Sequence, residues 1–330
     1  MYTESGKKVR EPPEPERPFV LLEDFTNLHM GAKSNNLHVL FKGLGQRLRL
    51  PKSGCIPFKM LEYTLDLNEG LKEELHRYID KLAATKSVKR MNRLLYKCKD
   101  LVLKLDFVDS DPKHSALKKG LTQFGVLDFP QAWKTIKKVW ASKFNERAFL
   151  ATKKIGVSLH QVYMAVLVQE IIPAEYAYVI HTTNPTNGEE NEVYVESCIG
   201  LGEALVSKMP GQALSFTYDK STMKSHVNAY PNKPIGLSAS GFIFRSDSNS
   251  EDLAGFAGAG LFDSYPMTET TEKRLAYNTE KLLVDEGFRQ QFMSRIGEIG
   301  VAIEDLYDKN PQDIEGAYYK GNYYVVQTRP

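Results

Sequence analysis

The chain has 330 residues, 42% of them hydrophobic and 25% charged, which is typical of a globular protein with one large domain or two smaller ones. A formal net charge of +2 is far below the basic excess of a dedicated nucleic-acid binder. Three scattered cysteines without a CxxC pair argue against a disulfide framework or a structural zinc site. No apolar run reaches the length of a membrane span, and no targeting segment is visible. We therefore expect neither nucleic acid nor membrane as a partner.

The chain begins with a charged, Pro-rich stretch and then changes to patterns of folded structure. Residues 1–18 are predicted to be an extended, solvated linker, and 19–330 a folded domain. Between Asn68 and Lys104, Leu, Lys, Glu and Ala recur at helical spacing, which predicts helix. A further helix is predicted from about Pro130 to Ala151, where apolar residues form one stripe and lysines lie on the other side.

The second half of the chain is richer in strand patterns. Three short runs of β-branched and aromatic residues predict strands of a sheet, namely "YMAVLVQEII", "AYVIHTTN" and "EVYVESCIG". An apolar stripe predicts a helix from about Glu286 to Asp308. Two closing strands, "DIEGAYY" and "NYYVVQTR", are joined at Lys320 and Gly321 as a predicted hairpin. Because helices and strands are mixed without a regular βαβ alternation, the predicted fold class is α+β.

The segment "IFRSDSNSEDLAGFAGAGLFDS" combines an arginine with closely spaced small residues. Gly258 and Gly260 belong to a loop that permits close backbone approach, as a polyphosphate cradle requires. Arg245, predicted at the end of a strand, could donate a forked pair of hydrogen bonds to the same phosphates. Glycine richness alone is explained as well by a surface loop.

The segment "PQDIEG" places two carboxylates two residues apart. On a strand, Asp313 and Glu315 would lie on the same face, and paired carboxylate oxygens suit Mg²⁺. The predicted hairpin would bring Gln327 and Arg329 of "YYVVQTRP" alongside them. This combination indicates a metal and phosphate site, although acids on an edge strand can also be merely solvated.

Two further segments are weaker signals. In "GAKSNNL", Lys33 lies where a loop enters a helix and can reach a phosphate as a point charge, but an ordinary helix N-terminus would look the same. In "VLVQEII", the backbone of Gln169, Glu170 and Ile171 could pair with an adenine edge, but a buried strand is the competing interpretation.

Seven segments taken in order resemble the C-terminal nucleotide-binding domain of alpha-glucan, water dikinase, which phosphorylates starch. The resemblance runs from Glu23 to Pro330, is weak over 60–128, and departs from the common pattern at Ser250, where glycine is usual. Pyruvate phosphate dikinase and phosphoenolpyruvate synthase share parts of it, and Asp247 favours this enzyme over phosphoglucan, water dikinase. The segments are "GAKS", "QAWKTIKKVWASKFNERA", "MAVLVQEII", "VIHTTNP", "GLGEALV", "IFRSDSNSEDLAGFAGAGLFDS" and "PQDIEG…VVQTRP".

The resemblance implies an ATP-grasp fold, in which two α+β subdomains clamp ATP, with Mg²⁺ as the metal. It implies phosphate contacts and catalysis by basic and amide side chains, a carboxylate pair on the metal, and further residues around the nucleotide. These residues are Arg245, Gln327 and Arg329 as the catalytic set, Asp313 and Glu315 as metal ligands, and Lys33, Gln169, Glu170, Ile171, Glu203, Arg245, Gly258 and Gly260 as the nucleotide-binding set.

The chemistry implied by the resemblance needs a phosphate carrier. ATP gives its β-phosphate to a histidine and its γ-phosphate to water, and the histidine passes its phosphate to a glucosyl hydroxyl. None of the seven histidines lies in the family's carrier motif, and His181 is interpreted as a packed, structural residue. We therefore expect a phosphotransferase that is incomplete without a phosphohistidine domain, in the same longer chain or in trans, and that reaches a starch-like glucan through it.

The expected location is the cytoplasm or a plastid, with starch granules as one site. The alternatives are a phosphoglucan, water dikinase, a pyruvate or water dikinase relative, and a nucleotide-binding regulatory module that has lost its chemistry. A starch-binding protein has little support, because the aromatic residues mostly fall on apolar faces.

Overall fold

A computed structural model describes residues 11–206, 209–253, 256–257 and 260–330, and it combines helices and sheets, which confirms the α+β class. The chain folds into two compact units. The first contains the described residues up to Asn35 together with Lys52–Gln169 and Phe242–Met267, and the second contains Asn36–Pro51, Glu170–Gly241 and Thr268–Pro330.

The described part of the chain forms ten α-helices and fifteen strands. The α-helices of the described chain are α1 (Ala32–Leu44), α2 (Met60–Asp66), α3 (Glu69–Ala84), α4 (Val88–Leu103), α5 (Pro112–Phe124), α6 (Phe129–Ala141), α7 (Glu146–Lys154), α8 (Glu203–Val206), α9 (Lys281–Val284) and α10 (Glu286–Leu306). The strands are β1 (Val20–Leu21), β2 (Ser53–Ile56), β3 (Met164–Glu170), β4 (Tyr176–His181), β5 (Glu192–Ile199), β6 (Leu214–Asp219), β7 (Lys224–Ala229), β8 (Ile235–Ser238), β9 (Phe242–Ser248), β10 (Asp252–Leu253), β11 (Phe256–Ala257), β12 (Tyr265–Pro266), β13 (Thr271–Arg274), β14 (Asp313–Tyr319) and β15 (Asn322–Arg329). Among the described helices, none has both the length and the apolar character needed to cross a membrane.

The first unit combines a five-stranded sheet with helices α2 to α7. The strand order is β1-β2-β3-β9-β12, and the helices and the sheet share one apolar core. Polar caps define where the helices begin: Ser87, Asp111 and Asp128 each accept a hydrogen bond from a backbone N–H in the first turn of α4, α5 and α6. The rings of Trp133 and Trp140 meet edge to face at 5.6 Å inside this core.

The helix predicted from about Pro130 to Ala151 is interrupted. α6 ends at Ala141, a 3₁₀ turn follows, and α7 begins after Asn145, whose backbone is extended. The Ser142 hydroxyl donates to the carbonyl of Val139 at 2.7 Å, and Phe144 remains buried beyond the break. Because the apolar side chains stay on the core side, the hydrophobic pattern alone does not reveal the interruption.

The Pro-rich lead-in is extended but not fully solvated in its described part. Pro12, Pro15 and Pro18 are buried, while the residues between them are exposed. A spacing of three residues corresponds to one turn of a polyproline II helix. One side of such a segment can therefore pack against the protein while its other sides remain exposed to solvent. Glu11 forms an ion pair with Lys59 of the first unit. The predicted boundary between a linker at 1–18 and a domain at 19–330 stays a prediction.

The second unit is built on a six-stranded antiparallel sheet. The strand order is β15-β14-β4-β5-β6-β7, and α10 packs its apolar stripe against one face through Phe292, Ile296, Ile299 and Ile303. The closing hairpin forms as predicted, with positive φ angles at both turn residues, Lys320 and Gly321. β14 is an interior strand between β15 and β4, so the competing interpretation of solvated acids on an edge strand does not apply.

Gly316 allows Tyr178 of β4 to pack directly against β14. A Cβ atom at Gly316 would lie 2.1 Å from Tyr178 Cε2, and Tyr178 is 1% exposed with its hydroxyl donating to the Tyr324 carbonyl at 2.9 Å. We expect Gly316→Ala to lower the free energy of unfolding by about 1–3 kcal/mol, because the ring cannot move away. The denaturant midpoint measures this.

Gly287→Ala is the matched control, because Gly287 lies in α10 of the same unit and an added Cβ would make only an ordinary 3.5 Å contact with Asp285. A helical position of this kind should gain up to about 1 kcal/mol from alanine. Equal midpoints for the two variants would contradict the packing argument.

Candidate functional site

A buried carboxylate in the first unit holds the turn that leads into α1. Asp247 of β9 is 0% exposed and accepts backbone N–H hydrogen bonds from Gly31 at 3.0 Å, Lys33 at 3.0 Å and Ser34 at 3.3 Å. Burial raises the pKa of this carboxyl, while Lys33 and the amide hydrogen bonds act in the opposite direction. The "GAKS" turn is therefore anchored to β9 by a residue more than 200 positions away in the chain.

Lys33 is the first predicted phosphate ligand of this unit. Its ammonium forms an ion pair with Glu251, and their side chains are 19% and 6% exposed. Ser246 also donates a hydrogen bond to Glu251, at 3.4 Å. Glu251 directly precedes β10 and the glycine-rich segment. Because Lys33 forms an ion pair with Glu251, its ammonium group lies at the start of that segment.

Arg245 and Gln169 lie side by side. Arg245 Nη1 donates to Gln169 Oε1 at 3.2 Å, and Gln169 Nε2 donates to Ser53 Oγ at 3.4 Å. Arg245 is in the interior of β9, not at the end of a strand as predicted, because β9 continues to Ser248. Arg245 was predicted to contact the phosphates and Gln169 to line the adenine. The two residues thus belong to one polar cluster.

The other predicted nucleotide-binding residues differ in their exposure and in their hydrogen bonding. The backbone N–H of Ile171 donates to the Gly241 carbonyl at 2.8 Å, and Glu170 is the exposed last residue of β3. Glu203 is exposed in the first turn of α8. Gly260 has a φ of +74° and is exposed, whereas Gly258 lies outside the described residues.

In the second unit, the register of β14 assembles the predicted metal and phosphate residues. Asp313 pairs with Arg329, and Glu315 pairs with Gln327 across the β14–β15 ladder. Ile314, between the two acids, is 0% exposed and belongs to the core under α10. Both carboxylates therefore project to the opposite face, as the two-residue spacing predicts.

Asp313 is held from both neighbouring strands. His181 Nδ1 of β4 lies 2.6 Å from Asp313 Oδ1, and Arg329 Nε donates to Oδ2 at 3.3 Å. The hydrogen bond from His181, with further help from Arg329, lowers the pKa of Asp313. The carboxyl is thus kept ionised at neutral pH, which is the form that binds a metal. His181 is a hydrogen-bonding partner in this cluster, a role that its prediction as a packing residue did not include.

Sequence reasoning missed the roles that three residues have in these clusters, namely Asp247 as the anchor of the α1 turn, Glu251 as the partner of Lys33, and His181 as the partner of Asp313. For Asp247 and Glu251 the available signal was their position in the same segment as Arg245. For His181 the signal was its place at the end of a predicted strand next to "TTNP". Among the described residues, no three His, Cys, Asp or Glu side chains converge on one metal position.

Residues 119–330 match the family described as pyruvate phosphate dikinase, AMP/ATP-binding domain. This is more than half of the chain, and the chain belongs to that family. It is 44% identical over 315 residues to the alpha-glucan water dikinase, chloroplastic, of Solanum tuberosum, covering 93% of this chain and 21% of that protein. It is 43% identical over 317 residues to alpha-glucan water dikinase 1, chloroplastic, of Arabidopsis thaliana, covering 93% and 22%.

A more distant relative is the phosphoenolpyruvate synthase of Pyrococcus furiosus, 30% identical over 66% of this chain and 24% of that protein. The resemblance inferred from the seven segments is confirmed by these matches. The chain spans about a fifth of the length of the glucan dikinases that it matches.

Replacement of Asp247 tests the anchor. In Asp247→Asn an amide N–H₂ would face one of the backbone N–H donors, so at least one donor would be left without an acceptor. We expect a loss of about 1–3 kcal/mol of stability, together with faster hydrogen exchange at the amides of Lys33 and Ser34.

Asp109→Asn is the control, since Asp109 has a 74% exposed side chain in a surface ion pair and should change stability by less than about 0.5 kcal/mol. Unchanged exchange at Lys33 and Ser34 in Asp247→Asn would contradict the anchoring role.

Proposed function

We propose that this chain is the ATP-binding catalytic part of an alpha-glucan, water dikinase. It would split ATP so that the β-phosphate reaches a histidine and the γ-phosphate reaches water, and the phosphohistidine would then phosphorylate glucosyl residues. The AMP/ATP-binding family match and the identity to two glucan dikinases over 93% of the chain support this. The two compact units, each of which combines helices with a sheet, support an ATP-grasp fold.

The single observation that carries the proposal is the β14–β15 cluster. Asp313 and Glu315 lie on one strand face with Gln327 and Arg329 opposite them. Two carboxylates on one face fit Mg²⁺, which completes its coordination with water and substrate phosphates. Bound there, Mg²⁺ would neutralise charge on the ATP phosphates.

The protein's own groups would orient the phosphates. Lys33, Arg245 and Arg329 would supply the positive charge, and the two arginines can donate forked pairs of hydrogen bonds. A phosphate at Lys33 would compete with Glu251 for its ammonium group, so nucleotide binding would rearrange this ion pair. Gln327, which is 6% exposed, would position metal or phosphate.

The nucleotide's other parts would contact the strand ends. Gln169, Glu170 and Ile171 would line the adenine; since the Ile171 N–H already bonds to Gly241, its carbonyl is the group left to contact the base. Glu203 would lie near the ribose, and Gly258 and Gly260 near the phosphates.

The remaining steps would need a phosphohistidine domain, in the same longer chain or in trans, and a starch-like glucan. The relatives are much longer than this chain, which is consistent with such a domain. Their names describe them as chloroplastic, which supports a plastid location for this protein as well, with the starch granule as the place of action.

The metal cluster is tested by Asp313→Asn combined with Glu315→Gln. Loss of both charges should weaken Mg²⁺-dependent ATP binding by about 100-fold or more, since even changes next to a metal ligand cost 10- to 100-fold. Calorimetric titration of ATP with and without Mg²⁺ measures this.

The double variant Glu272→Gln with Asp305→Asn is the control, because it removes two charges from exposed positions of the same unit. It should bind Mg·ATP like the unaltered chain. Full Mg²⁺-dependent binding in the Asp313 and Glu315 variant would move the metal site elsewhere.

A further inference from the structure

The second unit has a cavity of about 490 Å³ that the proposed ATP chemistry does not use. We call it the arginine pocket, and its charged residues are Arg47, Arg49, Arg295 and Glu298. Its walls are the turn and short segment that follow α1, one face of α10, and the hairpin turn between β14 and β15. A cavity of this size falls in the range of small-molecule sites.

The segment after α1 directs two arginines to the same side. Leu48 is 8% exposed and packs in the core of the second unit, so Arg47 and Arg49, one residue to each side of it, are exposed. The backbone is fixed there, because the Arg47 N–H donates to the Leu44 carbonyl at 2.8 Å and the Arg49 carbonyl accepts from the Val325 N–H at 2.9 Å. The two guanidinium groups are therefore carried by an ordered backbone.

α10 contributes a polar stripe to the same pocket. Gln291, Ser294, Arg295 and Glu298 follow the spacing of three, one and three residues that puts side chains on one helix face. Arg295 Nη1 lies 2.9 Å from Glu298 Oε2. Among the described residues, the side chains of Gln291 and Ser294 have no hydrogen-bond partner, so they remain available to a ligand.

The charges of the pocket are unbalanced. Three guanidinium groups face one carboxylate, which pairs with Arg295. Within the described part of the chain, Arg47 and Arg49 have no ion-pair partner. Like charges near each other are unfavourable, and a dianion between them would offset that repulsion. Forked guanidinium donors match the oxygens of a phosphate group.

The pocket is separate from the proposed metal cluster within this unit. Asp313 begins β14 and Tyr319 ends it next to the hairpin turn, so the two lie six residues apart along one strand, which corresponds to about 20 Å. A molecule in the pocket would therefore not contact Asp313.

We propose that the arginine pocket binds a phosphorylated sugar. Arg47 and Arg49 would hold the phosphate, and Gln291 and Ser294 would bind sugar hydroxyls. This rests on the proposed function, since a phosphorylated glucan would be the product of that reaction, and the pocket would keep a phosphorylated part of the glucan on the enzyme.

The test is calorimetric titration of the chain with glucose 6-phosphate, inorganic phosphate and glucose, without ATP or Mg²⁺. Glucose 6-phosphate should bind at least tenfold more tightly than either of the other two. Arg47→Gln with Arg49→Gln should weaken its binding at least tenfold, and the lysine pair at the same positions should lose part of the affinity, because an ammonium cannot donate a fork.

Arg77→Gln is the control for lost positive charge, because Arg77 has a 60% exposed side chain on α3 of the first unit. It should bind glucose 6-phosphate normally, and all variants should keep the thermal midpoint of the unaltered chain. Binding that is equal for glucose 6-phosphate and phosphate, equal for glucose 6-phosphate and glucose, or unaffected by the glutamine pair would overturn the proposal. Because no ATP is present, each of these failures would leave the proposed ATP chemistry untouched.

Discussion

Hydrogen bonding on both edges of β14 is the constraint on which the candidate metal cluster depends. β15 and β4 flank the strand and fix its register from two sides, so Asp313 lies next to both Arg329 and His181. A slip of one residue would turn the two acids toward α10 and bring Ile314 out of the core. The burial of Ile314 thus stabilises the same register that places the two carboxylates on the opposite face, so the packing of the core determines the position of the candidate metal cluster.

In the first unit, a buried charge, and not a buried apolar side chain, fixes the position of a candidate site residue. Asp247 receives three backbone N–H groups at the start of α1 and fixes the turn that carries Lys33. These three hydrogen bonds replace the hydration that the carboxylate loses on burial, and they offset the free-energy cost of burying its charge. One strand, β9, therefore carries both the anchor of this turn and Arg245, while Glu251 lies three residues beyond its end.

Local patterns were sufficient to predict some features of the fold and not others. Alternation along a strand has a period of two, so the shared face of Asp313 and Glu315 could be predicted, as could the hairpin at Lys320 and Gly321. The interior position of β14 could not, because it depends on pairing with β4, far away in sequence. The contacts of Asp247 with the α1 turn and of His181 with Asp313 join residues 216 and 132 positions apart, and no local pattern records them.

The proposed reaction sends the β- and γ-phosphates of ATP to different acceptors. The most direct measurement uses this protein together with the phosphohistidine domain that it would need, in the same chain or in trans, with soluble starch and ATP radiolabelled at either the β- or the γ-phosphate. If ATP is split in this way, β-label should appear first on a protein histidine and then in the glucan, while γ-label should appear only as inorganic phosphate. Label from the γ-phosphate in the glucan would rule out the proposed dikinase reaction.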